Sequence, residues 1–139
     1  MERGTLMNNE KPKYHIVSLS GGKDSTAMLI MMVERNMPID LILFCDTGLE
    51  FPAMYEHIDS LEKYIGIPVT RIKADKSFEY YMLEHKPDTR HNPETDRKYG
   101  ANRTGYSWPG PRSRWCTTKL KVNVIEKYIR SLKIIRRYK

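Results

Sequence analysis

The sequence has 139 residues, 40% of them hydrophobic, and a formal net charge of +7. This length predicts a single domain, and the apolar content excludes wholesale disorder. The charge is uneven: residues 1–96 carry 11 basic and 16 acidic side chains, whereas residues 97–139 carry 13 basic side chains and one acidic one. A basic C-terminal third of this kind predicts an anionic partner, namely a nucleotide, a nucleic acid or a sulfate-like group.

Membrane and secreted classes of protein are not expected. The longest apolar run, over residues 27–33, is too short to cross a bilayer, and the polar first twelve residues do not resemble a signal peptide. Two cysteines, Cys45 and Cys116, cannot form a disulfide framework. We therefore expect a cytoplasmic protein with a mobile tail over residues 1–12 and one domain over residues 13–139.

Strands and helices alternate in the first half of the chain. Residues 14–19 predict a strand. Residues 25–36 predict a helix, and its continuous apolar run from Ala27 to Val33 predicts that it is buried against a sheet. The apolar run 40–44 predicts a parallel strand covered on both faces. Pro52 suits the start of an amphipathic helix, which we expect to end at Gly66.

A third predicted strand, over residues 69–72, completes a βαβαβ unit of a doubly wound, mostly parallel α/β sheet. We then expect Ser77 to cap a short helix, and the proline- and glycine-rich residues 86–113 to form a long loop. A basic helix follows over about residues 117–133. Its predicted apolar stripe contains Val122, Ile125, Ile129 and Leu132, with Lys127 and Arg130 outside it.

The segment Ser-Gly-Gly-Lys-Asp-Ser-Thr lies between the first strand and the first helix. Two glycines allow backbone N–H groups to approach a ligand closely, and the positive end of the helix points at the same place. The alternative is an ordinary glycine turn with a capped helix. The predicted phosphate-binding residues are Ser18, Ser20, Gly21, Gly22, Lys23, Asp24, Ser25 and Thr26.

This segment resembles the signature of the PP-loop enzymes, whose fold is a Rossmann-like, HUP-type α/β sheet. The chain also resembles the phosphoadenosine phosphosulfate (PAPS) reductase family, because it contains Cys45-Asp-Thr-Gly followed by Phe51-Pro52. It departs from that family at Ala53, where the family often has glutamate. Because this loop also follows a strand, we expect it at the same sheet edge. Asp46, Thr47 and Gly48 are predicted to bind the nucleoside, with Mg²⁺ as a further candidate for Asp46; a capped turn is the alternative.

A third motif, over residues 112–121, resembles the family's basic segment around a cysteine. Four cations near a helix start are unfavourable unless an anion lies among them. Arg112, Arg114, Lys119 and Lys121 are therefore predicted to bind a phosphate or sulfate, with a solvated basic face as the alternative. Cys116 is either a reactive thiol or a small buried side chain, and for Cys45 we expect burial.

The resemblance implies binding of ATP or a PAPS-type adenine nucleotide. We expect adenylyl transfer with release of pyrophosphate, to which Lys23 contributes charge. The alternatives are a thioredoxin-dependent phosphoadenylyl-sulfate reductase that uses Cys116, or a non-enzymatic nucleotide sensor or subunit of a nucleic-acid sulfur-modification system. The reductases' C-terminal Glu-Cys-Gly-Leu-His segment is not found in the sequence, and a paired-cysteine iron–sulfur cluster is not expected.

Several remaining features give weaker expectations. The domain looks shortened after Ile134-Ile135, which predicts a partner chain or a homo-oligomer at an open sheet edge. The histidines, His57 included, have no metal-binding spacing and receive no role. Tyr106 and Trp108 are candidates for contact with adenine.

Overall fold

A three-stranded parallel sheet forms the centre of the fold. The computed structural model describes residues 13–86, 93–99 and 104–132. The strands β1 (Ile16–Leu19), β2 (Leu41–Asp46) and β3 (Val69–Lys73) lie in the order β1-β2-β3. Each pair is parallel. The predicted α/β class with a parallel, helix-flanked sheet is therefore confirmed.

One face of the sheet is covered by the helices α1 (Lys23–Glu34) and α2 (Pro52–Ile65). Pro52 occupies the start of α2, as predicted, because its missing N–H would have no helical partner there. Gly66 ends the helix with a φ of 69°, a conformation that favours glycine. The buried side chains between these layers are Val17, Leu19, Leu29, Ile42, Phe44, Ile58, Leu61 and Val69.

The prediction that α1 is buried nearly all round is wrong. Leu29 is its one fully buried residue among those described, whereas Met28 and Met31 are 44% and 46% exposed. Leu29 packs into the core shared with α2 and the sheet, and no described element covers the opposite face of α1. An apolar sequence thus showed that α1 belongs in a core but not how much of it is covered.

The chain after β3 forms short helical turns. A π-helical turn spans Tyr80–Glu84, and the hydroxyl oxygen of Ser77 accepts the N–H of Tyr80 at 3.1 Å, which confirms the predicted cap. The predicted long loop contains a helix, α3 (Pro93–Tyr99). The loop prediction was therefore wrong for these seven residues, because proline at the first position of a helix is compatible with helix formation.

The second face of the sheet is covered by the last helical segment. It consists of α4 (Trp115–Thr117), a π-helical turn (Thr118–Val122) and α5 (Asn123–Ser131). The residues of α5 that pack against Leu43, Cys45 and Ile72 are Val124, Ile125, Tyr128 and Ile129. The predicted stripe was wrong at Val122 and Leu132, which are exposed. A π-helical turn contains more residues than an α-helical turn, so the apolar face of α5 is rotated relative to the one that regular helical spacing predicts.

Some predictions lie outside the described residues: the tail over residues 1–12, part of the long loop and the strand-like Ile134-Ile135. Among the helices that the structure describes, none has both the length and the apolar character needed to cross a bilayer.

Candidate functional site

The glycine-containing loop connects β1 to α1 at the carboxyl edge of the sheet. Gly21 is buried there with a φ of 78°, a backbone conformation that other residues adopt at a cost. A Cβ atom on Gly21 would lie 2.2 Å from the sulfur of Met54. The loop is therefore packed directly against α2, and this position requires glycine for both reasons.

The serine hydroxyls organise this loop from within. The hydroxyls of Ser20 and Ser25 lie 2.9 Å apart, and the Ser25 hydroxyl also donates to the carbonyl of Gly22 at 3.0 Å. Lys23 and Asp24 are exposed at the start of α1, and Ser18 is exposed within β1. Ser20, Gly21 and Gly22 thus form the turn itself, and the residues from Lys23 to Thr26 form the first turn of α1. Ser18 lies outside both, in β1.

The amino end of α1 presents unpaired backbone N–H groups. The first-turn amides of a helix have no partner within the helix, and Gly22, at the N-cap, supplies no side-chain acceptor. These groups and the helix dipole favour an anion at this point.

Thr26 faces α2. Its hydroxyl oxygen lies 3.0 Å from Nε2 of His57. No role was expected for His57 from the sequence, whereas the structure shows that it joins α2 to the start of α1. His57 follows Met54 by three residues, so both lie on the same face of α2, and Met54 packs beside Gly21. This spacing is the sequence signal that could have placed His57 next to the loop.

Asp46 organises the second loop, at the carboxyl end of β2. One carboxylate oxygen accepts the N–H of Gly48 at 2.8 Å and the hydroxyl of Tyr55 at 2.7 Å. The second oxygen lies 3.7 Å from Nζ of Lys73. Tyr55 and Lys73 were missed from the sequence, because neither belongs to a motif. Their contacts show that Asp46 caps a turn and that its charge is already compensated.

Electrostatics of this turn favour the ionised carboxylate. Partial burial raises the pKa of Asp46, but the hydrogen bonds from Tyr55 and Gly48 and the charge of Lys73 outweigh that effect and hold the pKa below its ordinary value. The hydrogen bond to Asp46 raises the pKa of Tyr55.

These contacts do not fit a protein-held Mg²⁺. One oxygen of Asp46 already accepts two hydrogen bonds and the other faces a lysine. Among the described residues, no group of three or more His, Cys, Asp or Glu side chains is arranged to hold a metal ion. The hydroxyl of Thr47 is likewise used within the turn, donating to Glu50 at 3.0 Å.

The four cations that were predicted to bind one anion have different surroundings. Arg112 and Arg114 are exposed and form no ion pair with a described residue. The backbone carbonyl of Lys121 lies over the end of β2, 3.8 Å from the Cys45 sulfur. Lys119 instead lines a cleft beside β3. Residues two apart on a helical segment point in nearly opposite directions, which is why Lys119 and Lys121 diverge.

The two cysteines have different environments. Cys45 is 8% exposed among Leu43 and Ile72, as predicted, and burial raises the pKa of its thiol against a smaller opposing effect of the Lys121 charge. Cys116 is half-buried and packs against an aromatic cluster that includes Trp115. Its surroundings resemble those of a packing residue more than those of an open nucleophile.

The aromatic candidates for adenine differ from each other. Tyr106 is half-buried, stacks on Trp115 with ring centroids 5.8 Å apart, and its hydroxyl lies 3.0 Å from Nε2 of His85. Trp108 is 73% exposed and touches Phe78 edge-on. Tyr106 is thus occupied in packing, whereas the face of Trp108 is open.

The chain is similar to a known family of proteins. Residues 14–135 match the family model described as the phosphoadenosine phosphosulfate reductase domain. An uncharacterized 37.8 kDa protein of Escherichia phage 186 is 49% identical over 61 residues, which cover 44% of this chain and 18% of that protein. An uncharacterized Methanocaldococcus jannaschii protein is 28% identical over 115 residues, covering 82% of this chain and 19% of its own length.

A third relative has a function in its name. The phosphoadenosine 5'-phosphosulfate reductase of Alteromonas mediterranea is 38% identical over 69 residues, covering 50% of this chain and 27% of that enzyme. The chain therefore spans less than a third of the length of each of these three relatives. Because the family model covers most of its residues, this chain belongs to the phosphoadenosine phosphosulfate reductase domain family of the PP-loop superfamily.

Proposed function

We propose that this chain binds an adenine nucleotide of the ATP or adenylyl-sulfate type, with its phosphates on the loop Ser20–Thr26. The observation that carries the proposal is the combination at Gly21 and Gly22: a left-handed glycine turn followed by the uncapped amino end of α1. Membership of the family adds that the anion is part of an adenine nucleotide. Lys23 is exposed at the first position of α1, where its charge can neutralise a phosphate oxygen.

The nucleoside is proposed to lie along the turn Asp46–Gly48. Parallel strands are about 4.8 Å apart, so the loops after β1 and β2 fall within the length of one nucleotide. Gly48 is exposed, so a base or a ribose can pack against its backbone, whereas its N–H is held by the carboxylate of Asp46. Any Mg²⁺ would arrive with the nucleotide phosphates, because Asp46 is already engaged.

Titration calorimetry with ATP, AMP and PAPS tests this proposal. Lys23→Ala should weaken binding about 10- to 100-fold, since a hydrogen bond to a charged group contributes about 1.5–3 kcal/mol. Lys63→Ala, an exposed lysine near the end of α2, is the matched control and should bind like the wild type. Undetectable binding of all three nucleotides to the wild type, or equal binding by Lys23→Ala, would refute the proposal.

Two reactions are compatible with such a site. Adenylyl transfer with pyrophosphate release requires mainly electrostatic stabilisation, which Lys23 and the helix terminus supply. Reduction of PAPS is suggested by the name of the Alteromonas relative, and Cys116 would then be the reacting thiol. The packing of Cys116 against the aromatic cluster favours the first reaction. Thioredoxin-dependent sulfite release that disappears in Cys116→Ser would favour the second.

An accessory role, as a nucleotide sensor or a subunit of a nucleic-acid modification system, makes a different prediction. Binding to nucleic acid would fall steeply with added salt. Two of the basic residues on α5 are already neutralised, because Lys127 pairs with Asp75 and Arg130 pairs with Glu126. We therefore favour the nucleotide as the anionic partner. A homo-oligomer or a partner chain at the sheet edge is a separate proposal, which sedimentation tests.

A further inference from the structure

A cleft of about 340 Å³ opens between the carboxyl end of β3 and α5. Ile72, Ala74 and Val124 contribute apolar surface, together with the rings of two tyrosines. The polar and aromatic residues along the cleft are Lys73, Asp75, Tyr81, Lys119, Asn123, Lys127, Tyr128 and Ser131. No residue of the loop Ser20–Thr26 is among the described residues that line the cleft. Lys73 lines the cleft and also lies 3.7 Å from Asp46, so the cleft borders the proposed nucleoside turn but does not include the phosphate loop.

The three lysines of the cleft differ in their partners. Nζ of Lys127 donates to Asp75 at 2.5 Å, and Nζ of Lys73 lies 3.7 Å from the carboxylate of Asp46. Lys119 is half-buried and forms no ion pair with any residue in the described ranges. A cation that has lost part of its hydration beside apolar surface is stabilised by an anionic group. Among the described lysines that line the cleft, Lys119 is therefore the one whose charge has no ion-pair partner in the described ranges.

Other polar groups of the cleft are also available. The side chain of Asn123 and the hydroxyls of Tyr81 and Tyr128 have no hydrogen-bond partner within the described part of the chain. A mainly apolar cavity of several hundred Å³ with a few polar groups is typical of a small-molecule site. A nucleic-acid strand fits less well, because the acids that pair with Lys73 and Lys127 leave little net positive charge.

We propose that this cleft is a second small-molecule site, for a ligand with a planar apolar body and one phosphate or carboxylate group bound by Lys119. The apolar floor and the tyrosine rings receive the body, and Lys119 with Asn123 receives the anion. The proposal does not depend on nucleotide binding, because Lys119 and Asn123 lie outside both proposed nucleotide loops and Lys73 is the border residue between the two sites.

Amide chemical-shift mapping on the whole chain tests the proposal with 1-naphthyl phosphate, 1-naphthoate and neutral 1-naphthol. The two anions distinguish phosphate from carboxylate, and the naphthol tests whether an anion is needed. We expect the largest shifts at the amides of Asn123, Lys127 and Ser131, with at least one anion binding about tenfold more tightly than the naphthol. Shifts centred on the loop Ser20–Thr26, or equal binding of all three compounds, would overturn the proposal.

Three variants locate the anchor. Lys119→Met keeps the length and apolar character of the side chain and should weaken binding of the preferred anion about tenfold, whereas Lys119→Arg should retain it. Lys63→Met, an exposed lysine on α2 across the sheet, should have no effect. Lys23→Ala should weaken nucleotide binding but leave binding of the naphthyl ligand unchanged. Wild-type affinity in Lys119→Met, or loss of the naphthyl ligand in Lys23→Ala, would show that the cleft is not a separate site.

Discussion

Replacing Gly21 by alanine should destabilise the protein by about 2 kcal/mol. A left-handed φ costs a residue other than glycine about 1–2 kcal/mol, and the φ of Gly21 is 78°. The added Cβ would lie 2.2 Å from the Met54 sulfur, whereas ordinary contacts are about 3.5–4.0 Å. Moving this flexible side chain costs about 1 kcal/mol more, and the lower unfolded-state entropy of alanine offsets about 0.5 kcal/mol.

Urea denaturation followed by circular dichroism measures this difference, and Gly22→Ala is the matched control. Gly22 has an ordinary φ of −73°, and a Cβ there would meet the Ser20 hydroxyl oxygen at 3.7 Å. Its replacement should cost no more than about 0.5 kcal/mol. In a Met54→Ala background, Gly21→Ala should cost about 1 kcal/mol less than it does in the wild type. Equal effects of the two glycine substitutions would refute the left-handed turn, and an unchanged cost of Gly21→Ala in the Met54→Ala background would refute the packing of α2 against the loop.

Three further outcomes follow from individual contacts. Asp46→Asn should lower the free energy of unfolding by about 1–2 kcal/mol at pH 7. The contacts of Asp46 stabilise its ionised form and so lower its pKa, and urea titrations should therefore show this difference shrinking below about pH 4, where the carboxylate becomes protonated. His57→Leu should cost about 1 kcal/mol, and nothing further when Thr26→Val is already present. Burial raises the pKa of the Cys45 thiol, so Cys45 should react with dithiobis-nitrobenzoate only on unfolding. In Cys116→Ser, where Cys45 is the remaining thiol, a fast reaction would contradict the burial of Cys45.

The sequence predicted the order of strands and helices well because apolar patterning and turn residues acted together. The run Leu41–Phe44 has one interpretation, a strand covered on both faces, and the structure buries its last three residues. Pro52 and Gly66 marked the ends of α2 because each has a backbone requirement that few positions satisfy. At these positions the local chemistry and the tertiary packing favour the same conformation.

The remaining features depend on contacts between distant segments. A π turn at Thr118–Val122 changes the face of α5 without leaving a signal in helical periodicity. The engagement of Asp46 by Tyr55 and Lys73 arises only when α2 and β3 pack beside β2. Clustered charge in the sequence therefore suggested one anion-binding group, while the folded chain places Lys119 and Lys121 at different edges of the helical segment.

The most direct test of the account is amide chemical-shift mapping with ATP and with PAPS. Binding to the phosphate loop predicts the largest shifts at Gly21, Gly22 and Lys23, a further shift at Gly48, and loss of these shifts at the same nucleotide concentration in Lys23→Ala. Saturating nucleotide that leaves the amides of Gly21 and Gly22 unchanged, or that shifts only the cleft residues beside β3, would contradict the central claim that this loop holds the nucleotide phosphates.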